Sequence, residues 1–394
     1  MIDGTKKGIF SFIDEIQPEI CAMSDDLFDN PEIGLQEHRS SGILVEYLQK
    51  HGFSVTSGIG GLETAFRATY KKGENGPRIG LLCEYDALEN IGHACGHHMQ
   101  GPAVIGAALA LKECCEEEHE IVVYGTPAEE TVGGKIEMLK QGCFQDIDVA
   151  LMMHGSPTTT TDVKSMAMSN FDVTFHGTSA HAALAPEKGR SAFDGVLLLF
   201  QGIEFLREHV LDDTRMHYTV TDSGGPANVV PKRATARFSL RSYDRAYLDE
   251  VIKRFKKIVQ GAALMTETEA EVLEIKSLDN KIPVLSLNDI LMKNATILDA
   301  PRITPPREKT GSTDFGNVMY RVPGSCIRVA FVPEGTSSHS DGYLTAGKSQ
   351  EAHEAVVLGA KILAASAFDL ISSPEAMERV KEEFDSARAK SYRG

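Results

Sequence analysis

The sequence predicts an α/β protein: a sheet sandwiched by helices, with a smaller ferredoxin-like α+β domain inserted into it. Three observations carry this. Short apolar strands alternate with helical stripes over the first part of the chain, as in a sheet buried on both faces. From about Met168 the rhythm becomes strand, helix, strand, strand, helix, strand, the β-α-β-β-α-β order of a ferredoxin-like unit. At 394 residues the chain also exceeds the size at which one core usually stops growing. The expected boundaries are 1–166 and 281–394 for the two parts of the larger domain and 167–280 for the insertion.

Taken in order, Ile9, Ile13, Ile16, Ile20, Met23 and Leu27 recur at steps of four and three, the stripe of a helical face. Pro18 is expected to split or kink that helix, and Asn30-Pro31 to end it. A second helix is predicted from about Ser40 to Lys50, stopped by Gly52. Strands are predicted at Phe53–Thr56, Thr64–Tyr70 and Arg78–Glu84, with a Gly/Asn/Pro turn before the last. An alanine-rich helix over Pro102–Glu117 precedes a strand at Glu120–Gly125, a helix near Gly134–Lys140 and a strand at Asp148–His154. In the insertion the strands are Asn170–Phe175, Arg215–Asp222, Arg233–Arg241 and Ala270–Ile275, and the helices Ser191–His209 and Arg245–Ala263. A helix at Asn288–Leu298, a loop at Pro301–Phe315, a strand near Ile327–Phe331, a loop through His339 and a final helix at Glu351–Leu370 return to the first domain.

The loop from Cys83 to Gly101 concentrates chemistry. It holds three histidines, three carboxylates and Cys95, and thiolate, imidazole and carboxylate together form a ligand set for Zn²⁺ or a similar divalent ion. Gly96 allows the tight turn that lets Cys95 and His97 face one ion. Glu129 and Glu130 follow another apolar strand. Adjacent carboxylates ordinarily mark a solvated turn, but after a buried strand they suit one ligand and one general base. Taken singly, His154 reads as a core histidine and His339, in Thr-Ser-Ser-His-Ser-Asp, as a surface loop residue. Asp86, the glutamate pair and His154 all fall near predicted strand carboxyl ends, where open α/β sheets place their sites.

The order Asp86, Cys95-Gly-His97, Glu129-Glu130, His154, insertion, His339 resembles the M20 family of metallopeptidases and amidohydrolases. The likeness is greatest to the branch holding aminoacylases, auxin-conjugate hydrolases, p-aminobenzoyl-glutamate hydrolases and PM20D2-type dipeptidases. His-Ala-Cys-Gly-His and Gly-Ser-Thr-Asp-Phe-Gly-Asn (311 to 317) look most like the last of these. The resemblance implies a two-metal site, of Zn, Mn or Co, held by Cys95, His97, Glu130, His154 and His339. It makes Glu129 the base that deprotonates a metal-bridging water, and Asp86 an orienting residue. It makes the insertion a lid and dimerisation domain, whose His181 reaches a neighbouring subunit's site to steady the oxyanion. Asn228 and Arg241 resemble residues that hold the substrate's carbonyl and carboxylate, and Gly311 and Ser312 belong to the substrate-binding set. Bottom-up, Arg241 suits a carboxylate clamp because guanidinium binds carboxylate bidentately, though an edge-strand surface arginine reads the same way. The chain departs from the pattern at Glu89, where relatives carry proline, and at His98, where Asp or Asn is common. Glu84 takes the place of a ligand histidine of other branches, with Cys95 substituting, and is read as a non-ligand.

The resemblance thus implies hydrolysis of an amide bond in a small carboxylate-bearing substrate, a dipeptide or an N-acyl amino acid, by a homodimer. The alternative is a catalytically inactive metal-binding or partner subunit on the same fold, which intact Glu129 disfavours. A net charge of −16 without a basic block argues against a nucleic-acid surface. Seven cysteines without paired spacing suit a reducing compartment. No apolar run is expected to reach the roughly 18 residues needed to span a bilayer, and no signal-peptide core follows the N-terminus, so a cytoplasmic protein without membrane contact is expected. A thiol redox protein lacks its Cys-x-x-Cys, and a zinc deaminase its His-x-Glu and Pro-Cys-x-x-Cys.

Overall fold

The computed structural model describes residues 3–308 and 310–391. Two compact units emerge, one of Met1–Lys164 with Lys281–Lys390 and the other built on Ser165–Asn280. The larger unit begins with α1 (Gly4–Asp29) and α2 (His38–Lys50), followed by β1 (Ser54–Ser57), β2 (Phe66–Lys72) and β3 (Arg78–Cys83). Next come α3 (Gln100–Cys114), β4 (His119–Gly125), α4 (Gly134–Lys140), β5 (Val149–Ser156) and the short β6 (Thr160–Thr161). Its strands form one sheet in the order β1-β2-β4-β3-β5, continued by a later strand and then β6. β3 lies parallel to both β4 and β5, so the centre of the sheet is buried on both sides.

Side-chain alternation shows that burial directly. Ile121, Val123, Val149, Leu151 and Met153 join the core under α1 and α3, while Val122, Tyr124, Ala150 and Met152 join the cluster on the opposite face with Met138 and Phe144. A period of two with both sets apolar is the mark of a strand covered twice.

The smaller unit runs β7 (Ala167–His176), α5 (Ala192–Arg207), β8 (Arg215–Asp222), β9 (Arg233–Ser242), α6 (Arg245–Thr266) and β10 (Glu269–Leu278). Its four strands are ordered β10-β7-β9-β8 and all neighbours are antiparallel, the ferredoxin-like arrangement. Phe171, Val173, Phe175, Phe238 and Leu240 of the sheet pack with Val196, Leu199, Phe255 and Val259 of the helices.

The chain then returns to the larger unit with α7 (Leu285–Ile297), α8 (Phe315–Met319), β11 (Gly324–Ala330), α9 (Asp341–Ala346), α10 (Gln350–Ser372) and α11 (Pro374–Ser391). β11 fills the gap between β5 and β6, parallel to β5.

Three expectations are corrected. Pro18 does not split α1, which is continuous from Gly4 to Asp29. Pro18 faces solvent while Ile9, Ile13, Ile20 and Leu27 on both sides of it are buried, so packing of the two halves outweighs the lost backbone bond. The helix after Ser373 was not foreseen, although Met377, Val380 and Phe384 bury at steps of three and four on an otherwise polar stretch. Finally, α10 does contain an 18-residue window apolar enough to cross a membrane. In this fold 78% of that window is buried inside the protein, where α10 packs against α1 and α3.

Candidate active site

The donors come from four loops and strand ends of the larger unit. Asp86 lies just past β3. Gly96, at φ 88, turns the chain between Cys95 and His97, and its missing Cβ would have met Met99 Cε at 3.1 Å. Glu129 and Glu130 follow β4 and are preceded by Ala128 at φ 61, a left-handed conformation rare for a residue with a Cβ. His154 lies within β5 and not past its end, because β11 extends the pairing to Gly155 and Ser156. His339, also left-handed at φ 61, donates its backbone N–H to Ala94 O at 2.9 Å, which ties its loop to the Cys95 loop. Strain of this kind, beside Glu129 and at His339 itself, is typical of functional sites.

These segments line one cavity of about 470 Å³, whose walls include Cys95, His97, Glu129, Glu130, His154 and His339. Candidate ligand atoms lie within 4.8 Å of one another in the sets Cys95/His97/His154, Cys95/Glu130/His339 and His97/Glu129/Glu130. Cys95 Sγ is 3.8 Å from His154 Nε2, and His339 Nε2 is 3.1 Å from Glu130 Oε1. Yet Glu130 Oε1 is buried without a hydrogen bond among the described residues. Two ligands of one tetrahedral ion stand about 3–4 Å apart with their lone pairs aimed at a shared centre and not at each other. The residues therefore fit a divalent ion.

Each imidazole is turned by a neighbour. His97 Nδ1 lies 3.0 Å from Asp86 O and 3.1 Å from its Oδ1, so Nδ1 carries a proton. Burial would lower the ring pKa, but Cys95, Glu84 and Asp86 outweigh it and raise that pKa, so a cation has to displace the second proton before Nε2 can ligate. The other Asp86 oxygen accepts the Glu130 backbone N–H at 2.9 Å, so one carboxylate positions two donors. His154 Nδ1 is likewise taken by Gly155 O at 2.8 Å. Burial, aided by Arg328 and His97, lowers the His154 pKa to about 3, so the ring is neutral. Burial pushes the Cys95 thiol up to about 12, so a cation is required to make it a thiolate.

Beneath this layer lies a second one that sequence reasoning missed. Lys135 Nζ, fully buried, bonds Glu84 Oε1 at 2.5 Å and Asp314 Oδ1 at 2.7 Å. The other Glu84 oxygen accepts from Gln100 Nε2 at 2.8 Å, so Glu84 is engaged on both sides although its carboxylate comes within 3.3 Å of His97 Nε2. Burial, then Glu84, Asp314 and Glu130, push the Glu129 carboxyl up to about 8. His98 points elsewhere: Nε2 meets Gly347 O at 2.9 Å and the ring packs edge-on against Phe28.

Gly311 and Ser312 also line the cavity. His181, Asn228 and Arg241 belong to the smaller unit. There the Ala182 N–H donates to Asn228 O at 3.1 Å and the Val230 N–H to Ala180 O at 2.9 Å, so His181 and Asn228 share one exposed corner. Arg241 is half-buried on β9, which lowers its pKa.

A cavity lined by convergent thiol, imidazole and carboxylate donors at strand ends of an α/β sheet defines a metallohydrolase-type site. Residues 165–266 match the M20 peptidase dimerisation domain. The chain is 31% identical to the Xaa-Arg dipeptidase of Mus musculus, over 94% of this chain and 90% of that one. It is 29% identical to one of the p-aminobenzoyl-glutamate hydrolase subunits of Escherichia coli K12, over 95% and 94%. Among solved structures, an aminobenzoyl-glutamate utilization protein from Klebsiella pneumoniae superposes with a TM-score of 0.73 at 22% identity, covering 91% of this chain and 97% of that one. A dinuclear metal-binding peptidase of the M20 family from Bacillus subtilis does so at 0.68 and 18%, covering 91% and 99%. The chain belongs to the M20 family of metallopeptidases and amidohydrolases.

Proposed function

We propose that the protein hydrolyses the amide bond of a small carboxylate-bearing substrate, a dipeptide or an N-acyl amino acid, with two divalent ions of Zn, Mn or Co and Glu129 as general base. The observation that carries this is the gathering of five donors from separate segments around one cavity with Glu129 beside them. Cys95, His97, Glu130, His154 and His339 would hold the two ions. When bound, such ions polarise the scissile carbonyl and lower the pKa of water toward about 7. Glu129 takes the proton of the attacking water and passes it to the leaving amine. Its carboxyl, raised by burial and by its acidic neighbours, is drawn back down by cations nearby, toward the range where one group serves as both base and acid.

The named substrates of the two relatives each combine an amide with a carboxylate, and differ in that one carries a basic and the other an acidic side chain. The match of 165–266 to a dimerisation domain supports a homodimer through the smaller unit. In that dimer His181 would steady the oxyanion of the partner's site, and Asn228 and Arg241 would hold substrate carbonyl and carboxylate. Seven free cysteines favour a cytoplasmic setting. One relative is named as a subunit, which keeps the inactive-partner reading as the rival.

The test is exhaustive chelation followed by reconstitution with single metals, against a panel of small amides with a free carboxylate. Chelation is expected to abolish turnover and lower the melting temperature, and Zn²⁺, Mn²⁺ or Co²⁺ to restore both. Full activity after metal removal, or none in the reconstituted protein with any amide, refutes the proposal.

A further inference from the structure

One wall of the cavity is cationic. Lys281, Arg307 and Arg328 line it, and all three meet the same buried carboxylate. Lys281 Nζ is 2.6 Å from Asp162 Oδ2, Arg307 Nε 2.8 Å from Oδ1, and Arg328 Nε 3.0 Å from Oδ2. Burial would raise the Asp162 pKa, but the three cations hold it well below the usual carboxylate range.

One carboxylate offsets one charge. Even with Lys281 set aside, two guanidiniums share Asp162, and among the described residues neither has another acidic partner within ion-pair distance. Arg328 hydrogen-bonds Asp162 through Nε alone, which leaves its two terminal nitrogens outside that contact. β11 pairs with β5 so that Arg328 is the direct partner of His154, placing the guanidinium beside a proposed metal ligand on one face of the sheet. Ser312 supplies an independent sign: its hydroxyl is buried in the same cavity wall with no hydrogen-bond partner among the described residues. A buried hydroxyl without an acceptor and a half-buried cationic surplus are both costly unless a ligand completes them.

We propose that Arg307, Arg328 and Ser312 form an anion subsite that selects amides of acidic amino acids, binding a side-chain carboxylate in addition to the α-carboxylate assigned to Arg241. The proposal rests on reading this cavity as the place where the amide substrate binds. A basic side chain would meet like charge there.

The test uses the metal-reconstituted full-length protein and three matched substrates: alanyl-glutamate, alanyl-glutamine and alanyl-arginine. The acidic dipeptide is expected to show kcat/KM at least about tenfold above the amide isostere, with the basic one lowest. Arg307 is the better variant site because its side chain is 35% exposed, whereas that of Arg328 is 16%. Arg307→Gln should bring the glutamate-to-glutamine ratio close to one, and Arg307→Lys should retain part of it, since a point charge remains without the fork. A ratio of one in the wild type, or a ratio that Arg307→Gln leaves intact in a protein with unchanged melting temperature, overturns the subsite. Calorimetric binding of glutarate against glutaramate reads the subsite without turnover. Preference for glutarate that is lost in Arg307→Gln, with no dipeptide hydrolysed, would sink the hydrolase reading and leave the subsite standing. Turnover without charge preference would do the reverse.

Discussion

Lys135 tests whether the layer under the site is held by charge. Its ammonium makes two short, fully buried bonds, to Glu84 and Asp314, and those carboxylates lie within 4.8 Å of Glu129. Lys135→Met keeps the aliphatic stem and removes the charge, stranding carboxylates that repel one another. Breaking a buried ion pair from one side costs about 3–5 kcal/mol. At roughly 2–4 °C per kcal/mol for a unit of this size, the melting temperature should fall by about 6–20 °C. Burial alone would lower the Lys135 pKa, but Asp314, Glu84 and Glu129 raise it above 10.5. The wild-type contribution is thus fully present across the neutral range and is lost only above that value. In the variant the stranded carboxylates take up protons more readily when folded, so its stability should decline as pH rises above their unfolded pKa values near 4. Scanning calorimetry of metal-stripped protein at about pH 5, 7 and 9 measures both effects. The triple variant Glu84→Gln, Lys135→Met, Asp314→Asn removes every charge and should recover much of the loss. A Lys135→Met protein within about 1 kcal/mol of wild type at neutral pH, or a triple variant worse than the single, would refute the reasoning.

Glu129→Gln should lower kcat by at least about 10²-fold while metal content by mass spectrometry stays intact, and Glu130→Gln should lose metal; the opposite pattern reverses their roles. Glu37 is fully buried, accepting from Thr64 Oγ1 at 2.9 Å and from the strained Ala128 N–H at 2.8 Å, and burial with Asp86 nearby raises its pKa from 4.5 to about 7. Its folded form holds the proton more tightly, so this contribution, about 3 kcal/mol, is full below pH 4.5 and lost as pH rises through 7. In Glu37→Gln the amide oxygen keeps the Ala128 bond and the amide NH₂ donates to the Thr64 hydroxyl, which accepts in place of donating. That variant should match wild type in acid and melt higher near pH 8; parallel melting curves at both pH values would show that Glu37 carries no such dependence. For His181, mixing inactive His181→Ala and Glu129→Gln proteins should regenerate activity once subunits exchange, and silence after demonstrated exchange would rule out action in trans.

The first layer of the site was legible because each donor is adjacent to a signal that sequence carries. Apolar runs mark β3, β4 and β5, so Asp86, Glu129-Glu130 and His154 could be placed at one sheet edge, and Gly96 marked the turn between Cys95 and His97. The helix-and-strand rhythm of the smaller unit was equally readable, since its apolar positions alternate cleanly. His339 carried no local signal; only resemblance raised it, and its tie to Ala94 spans distant loops. Lys135, Asp162, Arg307 and Arg328 were illegible for a physical reason. A charged residue buried by a partner 51 to 179 positions away looks, in its own neighbourhood, like any solvated charge.

That hidden layer bears on the visible one. The larger unit neutralises its buried carboxylates selectively: Lys135 serves Glu84 and Asp314, and Lys281, Arg307 and Arg328 serve Asp162. Glu130 receives no lysine or arginine within ion-pair distance among the described residues; a histidine alone approaches it. A buried carboxyl group without a cation must either keep its proton, as Glu37 does, or meet a charge from elsewhere, because an unpaired buried charge is among the costliest features a fold can carry. Lys135 stops one layer short of the cavity, and Lys281, Arg307 and Arg328, which do reach its wall, engage Asp162 and not Glu130. Glu130, with the Cys95 thiol and the imidazoles of His97, His154 and His339, is thereby left to a charge from outside the chain, which a divalent ion supplies and a surface turn would not require.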